Sequence, residues 1–304
     1  MSEKAKERYD ALLKEIYLET YPERADSFPY SERYAHYFKP SVLHEFVARM
    51  DDEAYRAYRH SPGKELEAKK NGVPPKMLSI ASSSAFCLAS LAVKGIGTGA
   101  DFFTRTKGSI KKAYFEKELP VFPSFNCTPP TMDGYAEGAG EEYFFECKCH
   151  EIFDEHPILL SKNYFKSERN LIVKRIPKEW LSDVGKNMKI DPKAFGLSGD
   201  SPFDAKQLLT HIMGIQCNKK DGPGTLIYLF YLPESKRIRE DEIKRVIDQA
   251  LLDAKTVFES DVVRECCKEN RISLRLYVKH DAVNPCDATN TEEVYRCSWD
   301  DRDQ

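Results

Sequence analysis

The chain has 304 residues, 41% of them hydrophobic and 31% charged, with a formal net charge of -3. That supplies enough apolar material for one large α/β domain, or for a domain with a helical appendage, and it excludes a global basic field. Any surface for nucleic acid must therefore be local, and the longest apolar stretch, around Ala85 to Val93, is far too short to cross a bilayer.

The nine cysteines (Cys87, Cys127, Cys147, Cys149, Cys217, Cys266, Cys267, Cys286, Cys297) are odd in number and follow no framework spacing. The N-terminal segment MSEKAKERYDALLKEIYLE has no apolar signal core. Together these favour a soluble protein of the reducing cytoplasm with free thiols. Zinc is not expected, because no CxxC pair exists and His150 points away from Cys147 and Cys149 in a strand.

In chain order, residues 2–19 place Tyr9, Leu12, Leu13, Ile16 and Tyr17 at helical spacing against a charged face. Residues 41–58 predict a second helix, with Val42, Phe46 and Val47 inward and Arg49 and Arg56 outward. The segment SPGKELEAKKNGVPPK, from Ser61 to Lys76, is turn- and linker-like, so residues 1–60 are expected to form a helical cap on a main domain at 61–280.

That domain opens with a small-residue helix at 77–93 and the glycine-rich break GIGTGADF. Gly95, Gly97 and Gly99 lack the preceding strand and the following Gly-Lys-Ser/Thr of a phosphate loop. Ser82, Ser83 and Ser84 lack the G-x-S-x-G turn of a nucleophile, so small residues for close packing are the simpler reading. Three strands are predicted at Ile110–Leu119, Thr131–Glu137 and Glu141–Cys149, the last two joined by a hairpin carrying Gly138 and Gly140. Residues 150–203 look like an insertion with a helix near 157–166, and residues 204–216 return to helical period. Gly224–Leu232 predicts a strand buried on both faces, followed by a helix from Asp241 to about Cys267 and a strand at Ile272–Val278. The tail 281–304 is polar and carries no element pattern.

The informative segment is Pro130-Thr131-Met132-Asp133-Gly134-Tyr135, followed by Phe144-Phe145-Glu146-Cys147-Lys148. Residues two apart in a strand share a face, so Glu146 and Lys148 project together. The hairpin puts Asp133 on the neighbouring strand, within reach of Glu146 if the register is right. Two carboxylates suit a hard cation such as Mg²⁺, with Mn²⁺ as a substitute, and a lysine beside them could position water and stabilise charge on a phosphate. The bland alternative is a cross-strand ion pair on a solvated face, worth roughly 0–1 kcal/mol. Against it, Tyr143 to Cys149 is apolar on both faces, so Glu146 and Lys148 interrupt a run that reads as buried.

These residues resemble the PD-(D/E)XK nuclease superfamily, with Glu146-Cys147-Lys148 as its E-x-K half. The segments PPKMLSIASSSAFCLASL and TPPTMDGYAEG resemble, more narrowly, a bacterial restriction-endonuclease-like group. The resemblance spans roughly residues 61–232 and implies a restriction-endonuclease-like αβββαβ core with a mixed sheet flanked by helices. It implies a metal-dependent deoxyribonuclease in which Asp133 and Glu146 hold Mg²⁺ and Lys148 is the catalytic lysine. An additional upstream acid is implied, for which Glu65 and Glu116 both qualify. Gln207 matches the glutamine of a Q-x-x-x-Y motif, although His211 stands where the tyrosine belongs. Pro130 also lies three positions before Asp133, not directly before it. The partners implied are DNA and a second copy of the chain in a homodimer.

His211 on an apolar helix is more simply a core histidine than a ligand. His150 could contact phosphate from the Glu146/Lys148 face. Lys107, Lys111 and Lys112, with Arg105, form a modest basic cluster at a sheet edge. Two further readings stay open: a catalytically silent nucleic-acid-binding or assembly module on a nuclease fold, and hydrolysis of RNA or a small phosphoester. Neither the cap nor the insertion carries a known DNA-reading motif.

Overall fold

The computed structural model describes residues 3–61, 65–69, 71–91, 110, 113–121, 129–138, 140–166, 171–280 and 291–298. Two strands form its centre. All eight residues of β7 (Gly224–Tyr231) and all eight of β8 (Ile272–Lys279) are buried, as expected of strands covered on both faces, although β8 carries Ser273, Arg275 and Lys279 among its apolar residues. Beside β7 lies β3 (Glu142–Lys148), then β2 (Thr131–Glu137) and β1 (Ala113–Glu118), while β9 (Thr291–Cys297) closes the far edge. The six-stranded order is β1-β2-β3-β7-β8-β9, with β3, β7 and β8 parallel and the other neighbours antiparallel.

Helix α4 (Ser83–Leu91) packs on β2 and β3 from one side. Small residues allow that approach: a Cβ on Gly134 would stand 2.5 Å from Leu91 Cδ1 and 3.2 Å from Cys87 Sγ. The opposite face receives α7 (Ala205–Asn218), where Gly214 sits so close that a Cβ would lie 2.8 Å from Leu119 Cβ. The amphipathic α1 (Glu3–Thr20) buries Ala5, Tyr9 and Leu13 in the same continuous core as the sheet, and the Tyr9 hydroxyl donates to the Tyr231 carbonyl at 3.2 Å. The architecture is thus α/β, a mixed six-stranded sheet flanked by helices. Among the described residues, no helix is long and apolar enough to cross a membrane.

Several elements differ from the sequence expectation. The helix expected at 41–58 is two, α2 (Leu43–Val47) and α3 (Asp52–His60), because the Asp51 carboxylate accepts from the amides of Glu53 and Ala54 and starts a new helix. The helix expected from 77 begins only at Ser83, after Ser82 caps it through the Ala85 amide at 3.1 Å. The helix expected near 157–166 is a short strand, β4 (Leu159–Ser161), and a single turn, α5 (Asn163–Lys166). After α6 (Leu171–Lys174), β5 (Leu181–Val184) and β6 (Asn187–Ile190) complete a second sheet of order β4-β6-β5. The long C-terminal helix is broken at Ser260 into α8 (Asp241–Glu259) and α9 (Asp261–Glu269). The polar tail, read as patternless, contributes β9 as an antiparallel edge on β8. The Gly95–Gly99 segment and the cluster of Arg105, Lys107, Lys111 and Lys112 lie outside the described residues.

Candidate active site

The register of the β1–β2–β3 meander decides what meets. Phe115 pairs with Gly134 and Lys117 with Met132, which sets Glu116 opposite Asp133. Gly134 pairs with Phe145, which sets Asp133 opposite Glu146. Three carboxylates therefore stand in one row across three strands. The charge of Asp133 raises the Glu116 carboxyl and the charge of Glu146 raises Asp133, so the three interact. Glu116 also has φ = +51°, the left-handed region that a glutamate adopts only at a conformational cost.

Asp133 accepts the Cys147 amide through Oδ2 at 2.7 Å. Glu146 is 3% exposed. Its Oε1 takes the Lys148 ammonium at 2.7 Å and the Gln207 amide nitrogen at 2.8 Å, while its Oε2 is buried with no hydrogen-bond partner. Lys148 also donates to the Gln207 side-chain oxygen, so one glutamine bridges both charges. Gln207 holds this place because Asp204 caps α7, accepting the Gln207 backbone amide at 2.8 Å. Glu65, one of the two upstream candidates, is 3% exposed with Oε1 at 3.2 Å from Lys76 Nζ and Oε2 buried without a partner. The charge of Glu65 also raises the Glu116 carboxyl, so the two upstream candidates lie within electrostatic reach of each other.

Protonation follows from crowding. Burial and the charges of Asp133 and Glu65 push the Glu116 carboxyl up to about 9. Burial and Glu146 hold Asp133 well above the usual carboxylate range, and burial also raises Glu146 against the pull of Lys148. Burial works against the charge of Lys148, but Glu146, Glu151 and Asp133 outweigh it and raise its pKa above the ordinary lysine value. The cluster carries more carboxyl groups than cations and keeps some of them neutral. The buried Oε2 atoms of Glu146 and Glu65 have no hydrogen-bond partner, and carboxylate oxygens are hard donors that could serve Mg²⁺ or Mn²⁺. Among the described residues no three His, Cys, Asp or Glu side chains already form a cage, and Mg²⁺ asks only for one or two carboxylates with water and phosphate.

The chain matches no protein-family model, no curated protein and no solved structure.

The two histidines play structural parts. His150 lies beyond the end of β3, where Asp10 of α1 takes its Nδ1 at 2.8 Å, so it does not share the Glu146/Lys148 face as expected. Burial is the largest single influence and opposes its charge, yet the hydrogen bond and charge of Asp10 together with Glu151 outweigh it and raise its pKa. His211, 1% exposed, is pushed down to about 3 by burial and the Lys148 charge. It is a neutral core imidazole, 3.3 Å from the Tyr228 hydroxyl and 3.7 Å from Glu146 Oε2. Cys147 faces α4 and Cys87, and both thiols are buried and free.

Two acids escaped the sequence reading. Glu151 accepts the Cys149 amide at 2.7 Å, and its pKa is lowered, despite burial, by Lys148 and His150. It opens the single 3-10 turn Glu151–Phe153, too short for any periodicity to mark it. Asp10, 4% exposed, also sits 3.5 Å from His36 Nε2. It had a signal: it falls three residues before Leu13 on the apolar stripe of α1, where an acid calls for a partner.

Proposed function

We propose that the chain is a metal-dependent deoxyribonuclease that hydrolyses DNA phosphodiester bonds. The observation that carries this reading is the row of Glu116, Asp133 and Glu146, with Lys148 hydrogen-bonded to Glu146 and an uncommitted carboxylate oxygen left buried beside it. Buried charges gathered this way destabilise a fold unless they serve a site. The element order α4-β1-β2-β3-α7-β7, with an antiparallel meander and β7 parallel to β3, supports a restriction-endonuclease-like core.

Asp133 and Glu146 would hold Mg²⁺, with Glu116 or Glu65 able to join them. When bound, such a cation supplies Lewis-acid polarisation of a phosphoryl oxygen and water activation near neutral pH. Lys148, kept charged by its acidic neighbours, orients the attacking water and stabilises the negative charge that develops on the phosphate. Gln207 fixes the Lys148 ammonium through its oxygen and Glu146 through its nitrogen, so both reach the substrate in one geometry. Glu151 holds the lysine charged from the far side.

The test is single-turnover cleavage of duplex DNA by Lys148→Ala, with Mg²⁺ binding followed by calorimetry. We expect binding to persist and cleavage to fall by roughly 10²–10³-fold, the usual loss for one transition-state donor. Wild-type rates from that variant would refute the assignment.

A further inference from the structure

The segment from Glu151 to Asp204 leaves and rejoins the body beside Lys148 and Gln207. His156 laces its two ends, reaching the Glu151 carbonyl at 2.9 Å through Nε2 and Asp204 Oδ2 at 3.4 Å through Nδ1. Its charge runs against that of the whole chain. Residues 157–196 carry nine lysines and arginines against four acids, in a protein of net charge -3. In the sheet β4-β6-β5, Leu160 and Ile190 are buried on the inner face, and Lys189, paired with Leu159 and Ser182, is exposed on the outer one. The β5–β6 turn projects Lys186 beside Gly185, whose φ of +59° makes the tight reversal. Lys162 is matched by Asp183 at 2.9 Å and Arg175 by Glu269. Among the described residues, the exposed Lys178, Lys186 and Lys189 make no ion pair.

We propose that the β5–β6 hairpin and the turn Lys178–Trp180 leading into it are a duplex-DNA contact that lays Lys178, Lys186 and Lys189 on the phosphate backbone of the substrate. The inference rests on the nuclease reading, since it assigns that site's substrate as double-stranded. A duplex presents one negative charge per about 1.7 Å of axis, which a weakly acidic protein can approach only through a local basic element. A two-stranded ribbon is also the β-structure that a major groove about 12 Å wide admits. The hairpin meets both requirements, and the segment that carries it is rooted beside Lys148, its two ends laced by His156.

The experiment measures anisotropy of a fluorescein-labelled, mixed-sequence duplex of about 30 base pairs, without metal, between about 50 and 200 mM KCl. Lys178→Ala/Lys186→Ala/Lys189→Ala, checked for wild-type circular dichroism and melting, is expected to flatten the slope of log affinity against log salt by about three, near one per lysine. The triple arginine variant should keep the wild-type slope. An unchanged slope in the alanine variant overturns the proposal, as does absence of duplex binding by wild type. A loss seen with single-stranded RNA but not with the duplex overturns it too. Because this assay holds no metal, binding is read apart from cleavage: a flattened slope here, beside absent cleavage in a separate assay with Mg²⁺, would refute the nuclease reading and leave the hairpin contact standing.

Discussion

The two oxygens of Glu146 stand in different circumstances: one accepts from Lys148 and Gln207, and the other is buried without a donor. Removing one partner of a buried pair commonly costs roughly 3–5 kcal/mol, because the surviving charge is stranded. Here the raised pKa of Glu146 offers relief, since it can bind a proton in place of the lysine. Lys148→Ala should therefore melt well below wild type at pH 8 without metal. The difference should shrink as pH falls and Glu146 protonates, which a set of melting curves reads directly. A pH-independent difference would contradict the electrostatic account. The core of this arrangement was legible because a hairpin signal and strand alternation together fix which side chains meet. Asp133, Glu146 and Lys148 come together as that reasoning expected, whereas Gln207, which joins them from α7, was suggested by the resemblance alone. Glu116 and Glu65 could not be separated in sequence, because only the φ of +51° and the register show that Glu116 completes the row.

At the scale of elements, the α4–β2 contact leaves no space for a side chain on Gly134. Gly134→Ala would place a Cβ 2.5 Å from Leu91 Cδ1 and 3.3 Å from Phe145 Cβ, an overpacking that should cost about 1–3 kcal/mol in denaturant unfolding. A neutral effect would mean α4 is free to move off the hairpin. Helix α1 is fastened to the loop after β3 by Asp10 and His150. The folded-state pKa of His150 is raised above its unfolded value near 6.5, so its contribution is full below that value and lost as pH rises through the folded pKa. Asp10→Asn should lose most stability near pH 6 and least above that range, by thermal melting; a greater loss at alkaline pH would reverse the sign. Fully apolar strands such as β7 declared themselves in sequence. Edge elements did not: β9 is only half-buried along its length, and β5 is mostly exposed, so neither carries the hydrophobic pattern that reveals a strand.

Across the whole molecule, one continuous core joins α1, the six-stranded sheet and the helices on both faces, and the acidic row lies against it with Glu146 buried and Glu116 and Asp133 half-buried. The general architecture was readable from the alternation of strand and helix patterns. The antiparallel sheet of the insertion was not, because its strands have three or four residues each and too little pattern to read. A fold that holds several carboxyls together without a cation should be stabilised by one. At a hundredfold excess over Kd, Mg²⁺ should add about 2.7 kcal/mol to unfolding, and none in Asp133→Ala if that residue is a ligand. The most direct measurement is digestion of supercoiled plasmid by the purified protein with Mg²⁺ or Mn²⁺, beside an EDTA control and Asp133→Ala. Nicking or linearisation that disappears in both controls is the predicted result. An intact plasmid in every lane, or cleavage undiminished by Asp133→Ala, would contradict it.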